Sequence, residues 1–348
     1  MLAVRLTAPG RLSLSQESAP QPRDGQVLLS IEAVGICGSD IHRYRGDEMD
    51  SEEPDTPLIL GHEFSATVLK TGSEVAPIEN GDRVAVEAGW SCGRCEWCLK
   101  GWPNLCPGVR FCGTPPTDGA LREMMVWPAH LLYKLPETLT FEDGVMAEVL
   151  GIALHAIDLA NLRPGFSAAV LGAGPIGLCT VNVLRRVAGA AMILASDRLD
   201  YRCRAAQRLG ADRTWNAERE NPVERVLEAT GGRGVDVVFE AAGHAETPAQ
   251  AVRICAPGGR VILIGIPRDD RTPFPTAPAR RKGLTFRFVR RSKLAYDRAL
   301  TLMERGAVDA RSLITHHFAL VQVQKAFDLV DQYRDGVIKA VIHPGRER

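Results

Sequence analysis

The sequence has no excess of either charge and no long apolar run. Lysine plus arginine and aspartate plus glutamate each number 42, so the net charge is +0. Nothing draws the chain as a whole to nucleic acid or to an anionic membrane surface, and a small-molecule substrate is the expectation. No apolar stretch approaches the roughly 20 residues that cross a bilayer. Met1-Leu2-Ala3-Val4-Arg5 has neither the flanks nor the length of a secretory signal, so a cytoplasmic protein is expected. Internal repeats and low-complexity tracts are also absent.

What is present is a chain of 348 residues, long enough for two ordinary domains or one large one. Cysteine is plentiful at nine, an odd count, with four packed between Cys92 and Cys106. That pattern favours metal binding in a reducing compartment over a disulfide framework.

The first ~150 residues hold short extended segments broken by Gly, Pro and Asp, at 27–33, 63–70, 83–87 and 124–126. From Phe141 to Ala160, apolar residues recur at three- and four-residue spacing and predict a helix. Beyond Ala168, strand-like runs at 168–171, 191–195, 235–239 and 260–264 alternate with helical patterns at 175–187, 199–209 and 246–254. This alternation predicts a parallel sheet of βαβ units. An extended run at 284–289, helical patterns at 295–305 and 321–332, and a last strand at 337–342 close the chain.

Three features carry chemistry. Cys37, His62 and Glu63 offer a thiolate, an imidazole and a carboxylate, the mixed donors that an open zinc site takes from a protein. Cys92, Cys95, Cys98 and Cys106 offer four thiolates, which complete a tetrahedral zinc and leave no position for substrate; this site would hold a loop together. Cys112, Cys179, Cys203 and Cys255 read as buried small hydrophobes.

The third is Val170-Leu171-Gly172-Ala173-Gly174-Pro175-Ile176-Gly177, in which an apolar strand runs into G-x-G-x-x-G and then a helix. Gly172 permits the tight turn, Gly174 lets backbone N–H groups approach a pyrophosphate, and Gly177 allows close helix packing. Asp197 ends the next strand 20 residues beyond Gly177, where a carboxylate binds an adenosine ribose and disfavours a 2′-phosphate. NAD is therefore expected over NADP, with Arg198 next to Asp197 as the opposing sign.

Together these marks resemble the zinc-dependent medium-chain dehydrogenase/reductase family. They are G-I-C-G-S-D-I-H at 35–42, G-H-E at 61–63, the four-cysteine lobe, V-L-G-A-G-P-I-G at 170–177 and F-E-A-A-G at 239–243. The resemblance implies an α/β chain. A GroES-like, mostly-β catalytic domain spans 1–150, completed by 288–348. A doubly wound Rossmann domain for NAD, with Pro175, Ile176 and Arg202 among its cofactor contacts, spans 151–287. A structural zinc lobe lies at 88–112. It also implies a homo-oligomer, a dimer or tetramer, with one catalytic and one structural Zn²⁺ per chain.

A narrower resemblance is to the polyol branch, the sorbitol and xylitol dehydrogenases. Phe111-Cys112-Gly113-Thr114-Pro115-Pro116-Thr117-Asp118-Gly119 looks like that branch's F-C-x-T-P-P-x-D-G stretch, and Tyr133-Lys134-Leu135-Pro136 continues it. The alcohol dehydrogenase branch supplies a second zinc cysteine near residue 150, where this sequence has Glu148. The resemblance therefore implies Cys37, His62 and Glu63 as ligands, and Glu148 as a fourth ligand or a partner of zinc-bound water. Ser39 and His42 fall in the proton relay. The activity implied is oxidation of a secondary alcohol of a polyol or sugar-derived substrate.

Phe111 and Thr114 belong to the implied substrate site. The branch's aromatic residue after the relay histidine is replaced by Arg43, and its Arg-Tyr pair by Arg290-Arg291. Such arginines suit a carboxylate or phosphate, so a sugar acid or polyol phosphate is the alternative substrate, and threonine or a simple secondary alcohol a further one. A zinc-free reductase on the same fold and a non-catalytic nucleotide-binding protein are the remaining readings.

Overall fold

The structure, a computed structural model, describes residues 1–47, 57–268 and 271–345. The chain forms two compact units. The first comprises Met1–Gly151, Lys293–Gly306 and Ala310–Arg348; the second comprises Ile152–Ser292 with Ala307–Asp309.

The first unit is mostly β. Strands β1 (Leu2–Ala8) and β2 (Arg11–Gln16) form a hairpin, and β4 (Leu58–Ile59) joins β1. Its large sheet is ordered β10-β6-β5-β3-β18-β17, with β9 also paired to β3. These strands are β3 (Gln26–Gly35), β5 (Glu63–Thr71), β6 (Arg83–Val86), β9 (Met124–Pro128), β10 (Leu132–Lys134), β17 (Ile314–Ala319) and β18 (Lys339–His343). Pairing is antiparallel except between β17 and β18. Helix α1 (Gly38–Arg45) follows β3, and a small ribbon of β7 (Gly89–Trp90) and β8 (Arg110–Phe111) flanks α2 (Glu96–Leu99).

Apolar residues alternating along these strands, among them Val27, Leu29, Ile31, Phe64, Val84, Val86, Met125 and Ile342, form one core. Helices α9 (Tyr296–Glu304) and α10 (Val323–Asp331) come from the chain's last segment. Phe327 of α10 belongs to that core.

Helix α3 (Phe141–Ala160) has the extent its periodicity predicts, and it carries the chain from one unit into the other. Its start is set by Thr140. The Thr140 N–H and hydroxyl both donate to Asp143 Oδ2 at 2.8 Å, and the Asp143 N–H returns a bond to Thr140 Oγ1, a reciprocal cap.

The second unit holds a parallel sheet ordered β13-β12-β11-β14-β15-β16. Its strands are β11 (Ser167–Leu171), β12 (Met192–Asp197), β13 (Arg213–Asn216), β14 (Val235–Glu240), β15 (Cys255–Leu263) and β16 (Thr285–Phe288). Helices α4 (Pro175–Arg186), α5 (Asp200–Arg208), α6 (Pro222–Ala229), α7 (Thr247–Ile254) and α8 (Thr276–Arg281) connect them. This order is that of doubly wound dinucleotide-binding sheets, in which the strand order reverses beside the first strand. The ends of β11, β12 and β14, where ligands bind in such sheets, carry Leu171, Asp197 and Glu240.

Candidate metal centres and cofactor turn

Cys37, His62 and Glu63 come from two neighbouring strand ends. β3 runs out at Gly35, and Cys37 caps α1 with extended backbone, its N–H donating to Asp40 Oδ2 at 3.0 Å. Glu63 opens β5 directly opposite Gly35. A Cβ at Gly35 would lie 2.2 Å from Glu63 Oε2, so only glycine leaves room for that carboxylate. The donor atoms of Cys37, His62 and Glu63 all lie within 4.8 Å of one another. His62 and Glu63 are buried.

The loop from Phe111 to Gly119 fixes the segment before His62. Asp118 Oδ1 accepts the Ile59 N–H at 3.0 Å, the Gly119 N–H donates to Ile59 O at 2.7 Å, and the Cys112 thiol bonds Gly61 O at 3.4 Å. A Cβ at Gly119 would meet Leu60 O at 2.3 Å. The Phe111 ring lies 5.3 Å from the His62 ring, and Arg43 Nη2 reaches Thr114 Oγ1 at 3.5 Å. Thus Phe111 meets the His62 ring, and Arg43 meets Thr114 of the same loop. Arg290 and Arg291 belong to the second unit, after β16, and Arg291 has a positive φ of 57°.

Two residues with no role assigned from the sequence complete this cluster. Asp40 is buried and lies 3.3 Å from His62 Nδ1, so the carboxylate accepts the Nδ1 proton and His62 presents Nε2 as its donor atom. Asp40 Oδ1 also accepts the Gly61 N–H at 3.3 Å. A carboxylate behind an imidazole is the arrangement that orients metal-binding histidines. Burial opposes a charge on His62, but Asp40 and Cys37 outweigh it and raise its pKa well above the usual range. A cation at Nε2 answers the same negative field.

The other is Lys339, buried on β18, whose Nζ lies 2.8 and 2.6 Å from the two Glu63 oxygens and 3.0 Å from Ile36 O. Asp40 stood inside the motif at 35–42, but Lys339 is 276 residues from Glu63 and left no local signal.

Glu148 is buried on α3, and its carboxylate is not part of the three-donor set within 4.8 Å. Burial pushes its pKa up to about 7; the Glu63 charge adds to this, while His62 and Lys339 oppose it. Ser39 Oγ lies 3.5 Å from His62 Nε2, and His42 Nδ1 lies 2.8 Å from Asp47 Oδ2.

The four-cysteine lobe is a second cluster. Sulfur separations are 4.0 Å for Cys92–Cys98, 3.5 Å for Cys95–Cys98 and 3.8 Å for Cys95–Cys106. A tetrahedron with Zn–S bonds near 2.3 Å has edges of about 3.8 Å, so the thiols fit zinc without rearrangement. Backbone N–H groups of Arg94 and Cys95 pull the Cys92 pKa down to about 6, which favours the thiolate.

In the second unit, Gly172 has φ 93°, and a Cβ there would lie 2.6 Å from Ala242 N. A Cβ at Gly177 would lie 1.9 Å from Gly172 O, which enforces the close helix approach. Gly174 caps α4, with Pro175 at its first position and Ile176 next. The nearest atom to a Cβ at Gly174 is Arg202 Nη1 at 3.8 Å, so its bareness serves no internal contact and leaves space for a ligand. Asp197 is buried; its Oδ2 accepts the Ala173 N–H at 2.7 Å and its Oδ1 the Leu199 N–H at 2.9 Å, with Arg202 Nη1 3.9 Å away. Each oxygen keeps a second acceptor position for a ribose hydroxyl.

A dinucleotide-type parallel sheet and a clustered Cys-His-Glu donor set in one chain define a metal-binding dehydrogenase. The chain belongs to the zinc-binding alcohol dehydrogenase family. The model for the alcohol dehydrogenase GroES-like domain matches residues 23–137, and that for zinc-binding dehydrogenase matches residues 175–305. The chain is 32% identical to the sorbitol dehydrogenase of Bacillus subtilis (strain 168) over 95% of its length and 94% of that protein. It is 35% identical to an L-threonine 3-dehydrogenase of Bacillus velezensis, over 94% of both chains. Among solved structures, an Escherichia coli oxidoreductase/dehydrogenase of unknown specificity superposes with a TM-score of 0.92, at 34% identity and 98% coverage of both chains. The first unit is thus GroES-like and the second Rossmann-type, and the polyol branch is among its relatives. No helix among the described residues is long and apolar enough to cross a membrane.

Proposed function

We propose that this chain oxidises a secondary alcohol of a polyol or sugar-derived substrate to the ketone, with NAD as hydride acceptor. The observation that carries this reading is the Cys37-His62-Glu63 donor set, with His62 and Glu63 buried and Asp40 locked behind His62. Zinc, when bound, supplies a Lewis acid that acidifies an alcohol oxygen, and NAD takes up the hydride.

The chain's residues do the rest. Cys37, His62 and Glu63 hold the metal, and Lys339 offsets the charge of Glu63. Glu148, with a pKa raised to about 7, holds or releases a proton within the same buried region. Ser39 and His42 offer hydroxyl and imidazole positions for passing a proton outward, with Asp47 fixing the His42 ring. Gly172, Gly174 and Gly177 shape the turn for a pyrophosphate, and the positive end of α4 adds to its attraction. The Asp197 carboxylate repels a 2′-phosphate and favours NAD.

Arg43 supports a second reading. Its guanidinium reaches Thr114 beside the Phe111 ring that touches His62, where it suits an anionic relative such as a sugar acid or polyol phosphate. An NAD- and NADP-linked screen over polyols, sugar acids, polyol phosphates and threonine tests both readings. Turnover of a neutral polyol with NAD supports the first, preference for an anionic substrate the second, and no turnover of any substrate class contradicts both.

A further inference from the structure

A third group of metal-ligating side chains lies in the first unit, in none of the motifs that define the two zinc clusters. Glu142 sits in the first turn of α3, His317 on β17 and His343 at the end of β18. Strands β17 and β18 pair with His317 opposite Val341 and Ala319 opposite His343, which puts both histidines on one face of the sheet. On that face Val341 packs with Val145 of α3. The helix therefore brings Glu142 to the His343 end of β18, as it brings Glu148 near Lys339.

The donor atoms of the three residues lie within 4.8 Å of one another. His343 Nε2 is 3.0 Å from His317 Nδ1 and 3.7 Å from Glu142 Oε1. The edges of a tetrahedron with Zn–N and Zn–O bonds near 2.1 Å are about 3.4 Å, between those two values.

The tautomer of His343 is set independently. Its Nδ1 lies 3.2 Å from the Glu32 carbonyl oxygen, which only accepts, so Nδ1 carries the proton and the neutral ring presents its Nε2 lone pair to His317 and Glu142. A backbone carbonyl behind a buried imidazole is the support that metal-binding histidines have. His343 is buried, whereas His317 is exposed on β17, which ends the sheet order, and has room to turn its ring toward a shared ion. Two imidazoles and one carboxylate suit a borderline divalent cation of the Zn²⁺, Co²⁺ or Ni²⁺ kind, with water completing the coordination on the open side.

We propose that Glu142, His317 and His343 form a third divalent-cation site, which ties β17 and β18 to the first turn of α3. The cation replaces the proton that otherwise joins the two imidazoles and brings Glu142 into the same contact.

The test uses the full chain with both zinc sites filled, dialysed against Zn²⁺ alone near pH 7.5. Metal content and Tm are measured for the wild type, His317→Ala and Glu142→Gln. Expected is one zinc per chain beyond the other two in the wild type, with a Tm that rises as Zn²⁺ is added. Both variants fold and keep the other two zincs, and each binds the additional one at least tenfold more weakly with no rise in Tm. Absence of the additional zinc from the wild type, or its undiminished retention by either variant, overturns the proposal.

Discussion

Lys339 and Glu63 form an ion pair with both side chains almost wholly out of water, at 2% and 1% exposure, and the ammonium spans both carboxylate oxygens. The pair joins the last strand of the chain to the residue that opens β5, so the C-terminal segment helps set the metal cluster. Burial disfavours the Lys339 charge, yet Glu63 and Cys37 outweigh it and its pKa is raised.

In the metal-free protein, removing one partner leaves the other charge buried and uncompensated. Lys339→Met is therefore expected to destabilise the protein by about 3–5 kcal/mol. The readout is the urea midpoint at pH 7. A midpoint equal to that of the wild type contradicts the structural role of the pair.

Asp40 holds His62 through Nδ1 and the backbone through Cys37 and Gly61. Asp40→Asn keeps the shape but loses the negative charge behind the imidazole. Zinc affinity of the Cys37-His62-Glu63 site is expected to fall roughly 10–100-fold, as for other partners behind a metal ligand. Competition with a chelator measures this, and an unchanged affinity counts against the arrangement.

Cys95 lies 3.5 Å from the sulfur of Cys98 and 3.8 Å from that of Cys106. Because metal binding there is coupled to the folding of its loop, Cys95→Ser should lower Tm more than it lowers the turnover number. A melting curve that superposes on the wild type's contradicts a structural zinc.

Gly174 and Gly177 separate two uses of glycine. At Gly177 a Cβ collides with Gly172 O at 1.9 Å, whereas at Gly174 no protein atom lies closer than 3.8 Å. Gly174→Val should leave Tm unchanged and raise the Kd for NAD at least tenfold, about 1.4 kcal/mol. Gly177→Val should lower Tm. Unaltered NAD binding by the Gly174 variant means that the turn does not meet the cofactor.

The legible parts of this chain are those whose signal is local. The Gly172–Gly177 turn carries its own strand, helix and spacing, and the periodic apolar residues from Phe141 to Ala160 mark α3 from end to end. The hairpin of β1 and β2 goes unassigned: Met1-Leu2-Ala3-Val4-Arg5 is weighed only as a secretory signal, and Leu12-Ser13-Leu14 is too short an alternation to stand out. Strand β13, Arg213-Thr214-Trp215-Asn216, lies at the sheet edge and has no apolar run to betray it. Helix α6 also goes unassigned, although Asn221 before Pro222 is a start signal; in the structure the Asn221 side chain accepts the Val223 N–H, with Pro222 at the first helical position. Asp40 and Lys339 are of another kind. Their roles rest on pairings across 22 and 276 residues, which only the folded sheet creates.

In the proposed reaction Cys37, His62 and Glu63 hold a zinc on which NAD-linked alcohol oxidation depends. Its most direct test is the zinc content and NAD reduction of Cys37→Ser beside the wild type, over the panel of polyols, sugar acids, polyol phosphates and threonine. The variant should fold, bind NAD and keep the Cys92-Cys95-Cys98-Cys106 zinc, while losing the second zinc and all measurable turnover of a substrate that the wild type oxidises. Turnover that survives in the Cys37→Ser variant contradicts a catalytic zinc at Cys37.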